Sequence, residues 1–133
     1  MGRSSGVGIE LATGPEILTG STRLKAGTSE KMVLNMLSTA AFTRLGKVYE
    51  NLMVDVQATN EKLQRRALCI VGQATDVTER EAETLLREAD GSVKAAVVMG
   101  KAGVPAEEAR RRLERSGGSV REALGRVEGG RGT

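Results

Sequence analysis

The chain predicts a mostly α fold. A truncated piece of an α/β layer (residues 1–58) is followed by a small domain of repeated helical hairpins (residues 59–127) and a polar tail (residues 128–133). Three observations predict it. The stretch from Thr28 to Leu45 carries apolar residues around most of a helix, the second half contains a gapless internal repeat, and aromatics make up only 2% of the 133 residues. With one Phe, one Tyr and no Trp, the core must be built from Leu, Val, Ile, Ala and Met, which suits packed helices and gives no platform for stacking bases or sugars.

The elements follow in order. Met1 to Gly8 is Gly- and Ser-rich and reads as loose. Ile9 to Ala12 is a short apolar piece before Gly14-Pro15, consistent with a brief strand. Thr28 or Ser29 then suits an N-cap, with Glu30 in the first turn. The helix that follows carries Met32, Val33, Leu34, Met36, Leu37, Ala40, Ala41, Phe42 and Leu45, a pattern that predicts burial, and Gly46 ends it at C′. Leu52 to Val56 reads as a second strand interrupted by Asp55, which needs a partner if buried. Two short strands and one apolar helix do not make a stable sheet. The expectation is therefore that the layer's other strands lie elsewhere or come from another chain.

Beyond Thr59 the chain reads as helical, first over Asn60 to Ala74. Residues 77–97 then align without gaps on residues 104–124. Glu81 matches Glu108, Ala82 matches Ala109, Leu86 matches Leu113, and Gly91-Ser92-Val93 matches Gly118-Ser119-Val120. Gly closes one helix and Ser caps the next, so each unit is a helical hairpin. Thr78 is placed as an N-cap and Pro105 as a first helical residue.

Composition narrows the function classes. Twenty Lys and Arg against seventeen Asp and Glu leave a net charge of +3, too balanced to argue for nucleic acid or membrane partners. The Arg110-Arg111-Arg112-Leu113-Glu114-Arg115 run is interleaved with acids and reads as a solvated helix face. With no His and a single Cys, neither a transition-metal site nor imidazole acid–base chemistry is expected, and no cofactor is implied. Cys69 lies in an apolar run and is expected to be buried. No stretch reads as a signal peptide or a membrane span, so the chain reads as cytoplasmic.

One loop concentrates chemistry. Thr13 to Thr28 holds three Gly, four Thr, one Ser and two cations, and leads straight into the apolar helix. Backbone N–H groups, hydroxyls and a helix start suit a phosphate. Ser21 and Thr22 would donate hydroxyls, Arg23 a two-pronged bond and Lys25 a mobile charge. Glu16, the loop's one acid, would accept sugar hydroxyls or move a proton. The alternative stays open: a plain turn and cap with solvated cations, since no P-loop pattern is present.

Thr13 to Met36 resembles the signature of the N-acetylmuramic acid 6-phosphate etherases, shared with the glucokinase regulatory protein. Leu45 to Leu63 and the Gly-Ser-Val hairpins are similar to the etherases too. The resemblance runs from about Ile9 to about Val127 and implies the C-terminal part of that family. Residues 1–58 would be the end of a sugar isomerase (SIS) domain, and residues 59–127 a helical domain similar to ubiquitin-associated (UBA-like) modules. The family is a carbon–oxygen lyase that cleaves the D-lactyl ether of N-acetylmuramic acid 6-phosphate in cell-wall recycling, without a metal and as a homodimer. Its proposed acid and base glutamates lie earlier in the SIS domain and have no counterpart here, so no catalytic residue is carried over. The resemblance implies a substrate-side role for Ser21, Thr22, Arg23, Lys25 and Glu16, in a chain inactive alone. A stand-alone sugar-phosphate-binding or regulatory module is the alternative.

Overall fold

The computed structural model describes residues 6–125. The polar tail expected over residues 128–133 lies outside them. Six helices and one two-stranded hairpin make up the described residues, so the fold is mostly α. They pack as two units divided between Ala41 and Phe42.

In the first unit, residues 6–24 contain no strand. The expected strand at Ile9–Ala12 is not formed, because no described segment pairs with it and an unpaired strand has no ladder to hold it. Helix α1 (Lys25–Arg44) starts three residues before the earlier of the two predicted caps. None of its residues is buried, against the expectation from its apolar pattern. Met32, Leu34, Met36 and Leu37 are each more than half exposed. Apolar periodicity reports that a helix wants cover, and the described residues do not supply it.

The second unit opens on the last turn of α1. The Gly46 and Lys47 N–H groups donate to Thr43 O and Phe42 O, and Gly46 takes φ +66°, the expected C′ stop. Strands β1 (Val48–Tyr49) and β2 (Leu52–Met53) pair antiparallel, with Val48 opposite Met53 and Tyr49 opposite Leu52. The predicted strand over residues 52–56 is thus cut to two residues, because its one partner is the short segment just before it. Tyr49 and Val54 bury against the helices that follow.

Those helices are α2 (Glu61–Thr75), α3 (Glu79–Glu88), α4 (Val93–Ala102), α5 (Ala106–Arg115) and α6 (Val120–Ala123). Asn60 caps α2 by accepting from the Leu63 N–H. The buried face of α2 is Ala67, Ile70, Val71 and Ala74, the i, i+3, i+4, i+7 stripe of an amphipathic helix. Cys69 lies off that stripe and is exposed, which corrects the expectation that it is buried.

The internal repeat is real in three dimensions. Thr78 and Glu81 form a capping box at the start of α3. Pro105 stands one position earlier than expected, at the N-cap of α5. In both repeats the turn closes alike, with Gly91 N–H donating to Leu86 O and Gly118 N–H to Leu113 O, each at 2.8 Å. Ser92 and Ser119 then cap α4 and α6. Matching residues occupy matching places: Ala82 with Ala109, Val93 with Val120 and Ala96 with Ala123 are all buried.

Helix α4 packs against α2, α3, α5 and α6, so the two hairpins share it. The Val97 and Val98 side chains are fully buried there, each contributing about 1.5–3 kcal/mol on burial.

Gly46 touches the second repeat's turn. A Cβ there would stand 2.9 Å from Ser119 Cα and 3.2 Å from Gly118 O, both backbone atoms. Gly46→Ala adds a positive-φ penalty to this overlap. We expect it to lower the unfolding free energy by about 2–4 kcal/mol in urea denaturation followed by helical circular dichroism. An unchanged midpoint would show that this contact does not hold the hairpin.

Candidate functional site

The loop from Thr13 to Leu24 is closed by its own backbone. The Ser21 N–H donates to Leu18 O, Thr22 N–H to Gly20 O and Leu24 N–H to Ser21 O, at 2.9–3.2 Å. Gly14 and Gly20 take φ of +67° and +79°, a conformation that costs a side-chain-bearing residue. The glycines predicted to let the backbone turn do so at these two positions.

What the loop does at the helix start differs from the expectation. A helix leaves its first four N–H groups without intrahelical partners, and these are what would hold a phosphate. Here all four are taken. The N–H groups of Lys25 and Ala26 donate to Glu16 Oε2 and Oε1 at 3.0 and 2.9 Å. The Gly27 N–H donates to Thr22 O at 2.8 Å and the Thr28 N–H to Leu24 O at 3.0 Å. Glu16 therefore stands as the anion at the start of α1. The expected caps, Thr28 and Ser29, lie inside the helix, where the Ser29 hydroxyl donates to Lys25 O.

The Ala26 and Lys25 N–H groups hold the Glu16 carboxyl below its ordinary range, against a small opposing effect of desolvation and with help from the Lys25 charge. Glu16 is accordingly ionised at neutral pH and is no proton donor there. The side chains left for a ligand are those of Ser21, Thr22 and Arg23, which make no hydrogen bond or ion pair with another described residue. Thr22 and Arg23 are exposed and Ser21 is half-buried. Lys25 carries its ammonium back toward Gly14, where an added Cβ would lie 3.9 Å from Nζ. The chemistry on offer is two hydroxyl donors, one guanidinium and one ammonium within five residues, suited to an anion bound by side chains.

A second polar cluster belongs to the other unit. Asp55 accepts from Lys47 at 3.1 Å and from Lys94 at 3.3 Å, tying the strand hairpin to α4. This is the partner the sequence left unidentified. Partial burial raises the Asp55 carboxyl, and the two lysines more than offset that and hold it below its ordinary range. Beside it runs an open groove of about 420 Å³ between residues 54–58 and 90–94. Lys94 follows the Gly-Ser-Val turn of the first repeat, as Arg121 follows that of the second. Repetition marks the position, but only the fold pairs it with Asp55.

The arginine run is engaged with acids, as its reading as a solvated face required. Arg110 pairs with Asp90, and Arg111 and Arg112 pair with Glu108. Asn60 and Tyr49 serve structure, as a helix cap and a buried ring. No cluster of three acidic or thiol side chains suited to a metal occurs among the described residues, and no described helix is long and apolar enough to cross a membrane.

The described residues thus hold a glycine-turned loop with exposed hydroxyls and cations, followed in sequence by a unit of helical hairpins. Residues 50–95, from the strand hairpin to the start of α4, match the family described as the C-terminal lid domain of glucokinase regulatory protein. The wider relatives are enzymes. Proteins named N-acetylmuramic acid 6-phosphate etherase from Mycolicibacterium smegmatis, a Geobacillus species and an Exiguobacterium species are 60%, 58% and 58% identical over 123, 118 and 116 residues. Those alignments take in 92%, 89% and 87% of this chain and 41%, 40% and 40% of the relatives. The etherase resemblance read from two motifs thus extends over most of the chain. The chain spans about two-fifths of the length of the curated relatives it matches.

Asp55 titrates in a testable direction. A carboxyl lowered in the folded state adds stability above the ordinary Asp range, and that stability is lost as pH falls through the lowered value. Asp55→Asn should reduce the loss of stability below about pH 4 and cost under about 1 kcal/mol at neutral pH, since the pair is partly exposed. Urea midpoints of both proteins across pH check this. Parallel acid limbs would show that the lysines do not stabilise the ionised Asp55.

Proposed function

We propose that this chain is the C-terminal part of an N-acetylmuramic acid 6-phosphate etherase-type lyase. In this reading residues 1–58 complete a sugar isomerase (SIS) domain, and residues 59–127 form its UBA-like lid or dimer-packing domain. The reaction cleaves the D-lactyl ether to give N-acetylglucosamine 6-phosphate and lactate, in the cytoplasm, within a homodimer. The observation that carries it is the 60% identity over 123 residues to a protein of that name, in a chain holding the whole Thr13–Thr28 loop.

The loop's part is to hold the sugar phosphate. Ser21 and Thr22 donate hydroxyls to phosphate oxygens, Arg23 adds a charge-assisted fork and Lys25 a point charge. Glu16, ionised and engaged with the helix start, belongs to the same locus. The acid and base come from the remainder of the enzyme, so the chain alone binds without turnover. The exposed apolar surface of α1 supports this division, since it needs cover.

A second reading rests on the lid-domain match: a non-catalytic module that binds a sugar phosphate or regulates a partner. Isothermal titration with N-acetylmuramic acid 6-phosphate, beside a lactate-release assay on the chain alone and on the complete enzyme, separates the two. Lactate release by this chain alone would refute the division of labour. Binding with no etherase activity in the complete protein would favour the module.

Arg23→Ala in the complete enzyme should lower kcat/KM about ten- to a hundredfold, the worth of a charge-assisted bond, with the unfolding midpoint unchanged. An unaltered kcat/KM removes Arg23 from the anion site.

A further inference from the structure

The Glu16 carboxylate reaches across nine and ten residues to accept two hydrogen bonds at the start of α1, a place local capping residues usually fill. Between these ends lie the positive-φ Gly20 and the hydroxyl and guanidinium side chains of Ser21, Thr22 and Arg23, assigned above to phosphate. The far end of the loop is fixed as well, by Thr22 O accepting from the Gly27 N–H. A Cβ on Gly27 would stand 3.2 Å from Thr22 O, so the backbones approach closely there. The loop is pinned at both ends while Thr22 and Arg23 stay exposed.

We propose that Glu16 is a positioning residue. Its carboxylate braces the 16–24 loop against the start of α1 and so sets Ser21, Thr22 and Arg23 in place to bind a phosphate monoester by their side chains. This rests on the anion reading of the loop given above. It replaces direct ligand contact by Glu16 with an indirect role. It also excludes the helix N–H groups as the phosphate's ligands, because the brace holds two and the loop backbone the others.

The sign of one substitution decides the matter. If Glu16 were only a negative charge beside an anion site, or a stand-in that phosphate must displace, Glu16→Ala or Glu16→Gln would tighten anion binding. A brace predicts the reverse. Gln keeps the shape but offers only one acceptor oxygen, so it should behave like Ala.

The full chain, unmodified and with each substitution, is titrated with inorganic phosphate and with N-acetylglucosamine 6-phosphate by NMR, and amide exchange is read at Lys25, Ala26 and Gly27. The expected result is roughly five- to tenfold weaker binding of both ligands in both variants, the order of a lost cap. Exchange at Lys25 and Ala26 should quicken, with protection in α2–α5 unchanged. Tighter binding in either variant overturns the brace. Weaker binding of the sugar phosphate with unaltered inorganic phosphate overturns it too, and identifies Glu16 as a hydroxyl acceptor. If the unmodified chain binds neither ligand, the anion reading fails. Failure of the brace is told apart from that by unchanged exchange at Lys25 and Ala26 in the variants.

Discussion

The burial of one short helix is the constraint on which the second unit depends. Six of the ten residues of α4 are buried, and the helix, itself the second arm of the first hairpin, also packs against α2 before it and both helices of the second hairpin. Neither repeat could bury its apolar face alone, since α3 and α5 each have only one residue fully buried. Sharing α4 gives both a partner. Small and β-branched side chains make this possible: Ala95, Ala96, Val97 and Val98 let four helices approach one. Gly100 extends the same logic, because a Cβ there would stand 2.6 Å from Thr75 Cγ2 on α2.

The first unit is organised by polar bonds. Its helix buries nothing, yet its start is fully satisfied. That combination bears on the proposed anion site. A loop built to receive an anion at a helix start would leave N–H groups free, whereas this one spends them on its own carboxylate and backbone. On the proposed reading anion recognition passes to side chains, where Arg23 adds direction and the hydroxyls adapt. The Asp55 cluster shows the same economy in the second unit, with two lysines held on one carboxylate to join hairpin and helix.

How much of this was legible depends on the range of the interaction. The Gly46 stop, the Thr78 N-cap and the paired Gly-Ser turns all lie within five residues of their partners, and each was readable from residue type and spacing. Pro105 missed by one place for the usual reason that terminal residues are ambiguous. The start of α1 missed by more, because its cap comes from Glu16 and no local rule points that far back. Cys69 was misjudged because an apolar run says nothing about which side of a helix faces the core. The strand expected at Ile9–Ala12 failed because a strand exists only with a neighbour.

By itself the sequence determined the helical hairpins, their caps and turns, the weak case for metal or base-stacking chemistry, and the etherase resemblance of the loop. These follow from local backbone chemistry and from composition, which need no partner in space. Only the tertiary structure decided that α4 is shared by both repeats, that Asp55 is held between Lys47 and Lys94, and that Glu16 occupies the start of α1. Each of those joins residues that are distant along the chain, and the free energy of such a contact depends on a folded geometry that spacing alone does not encode.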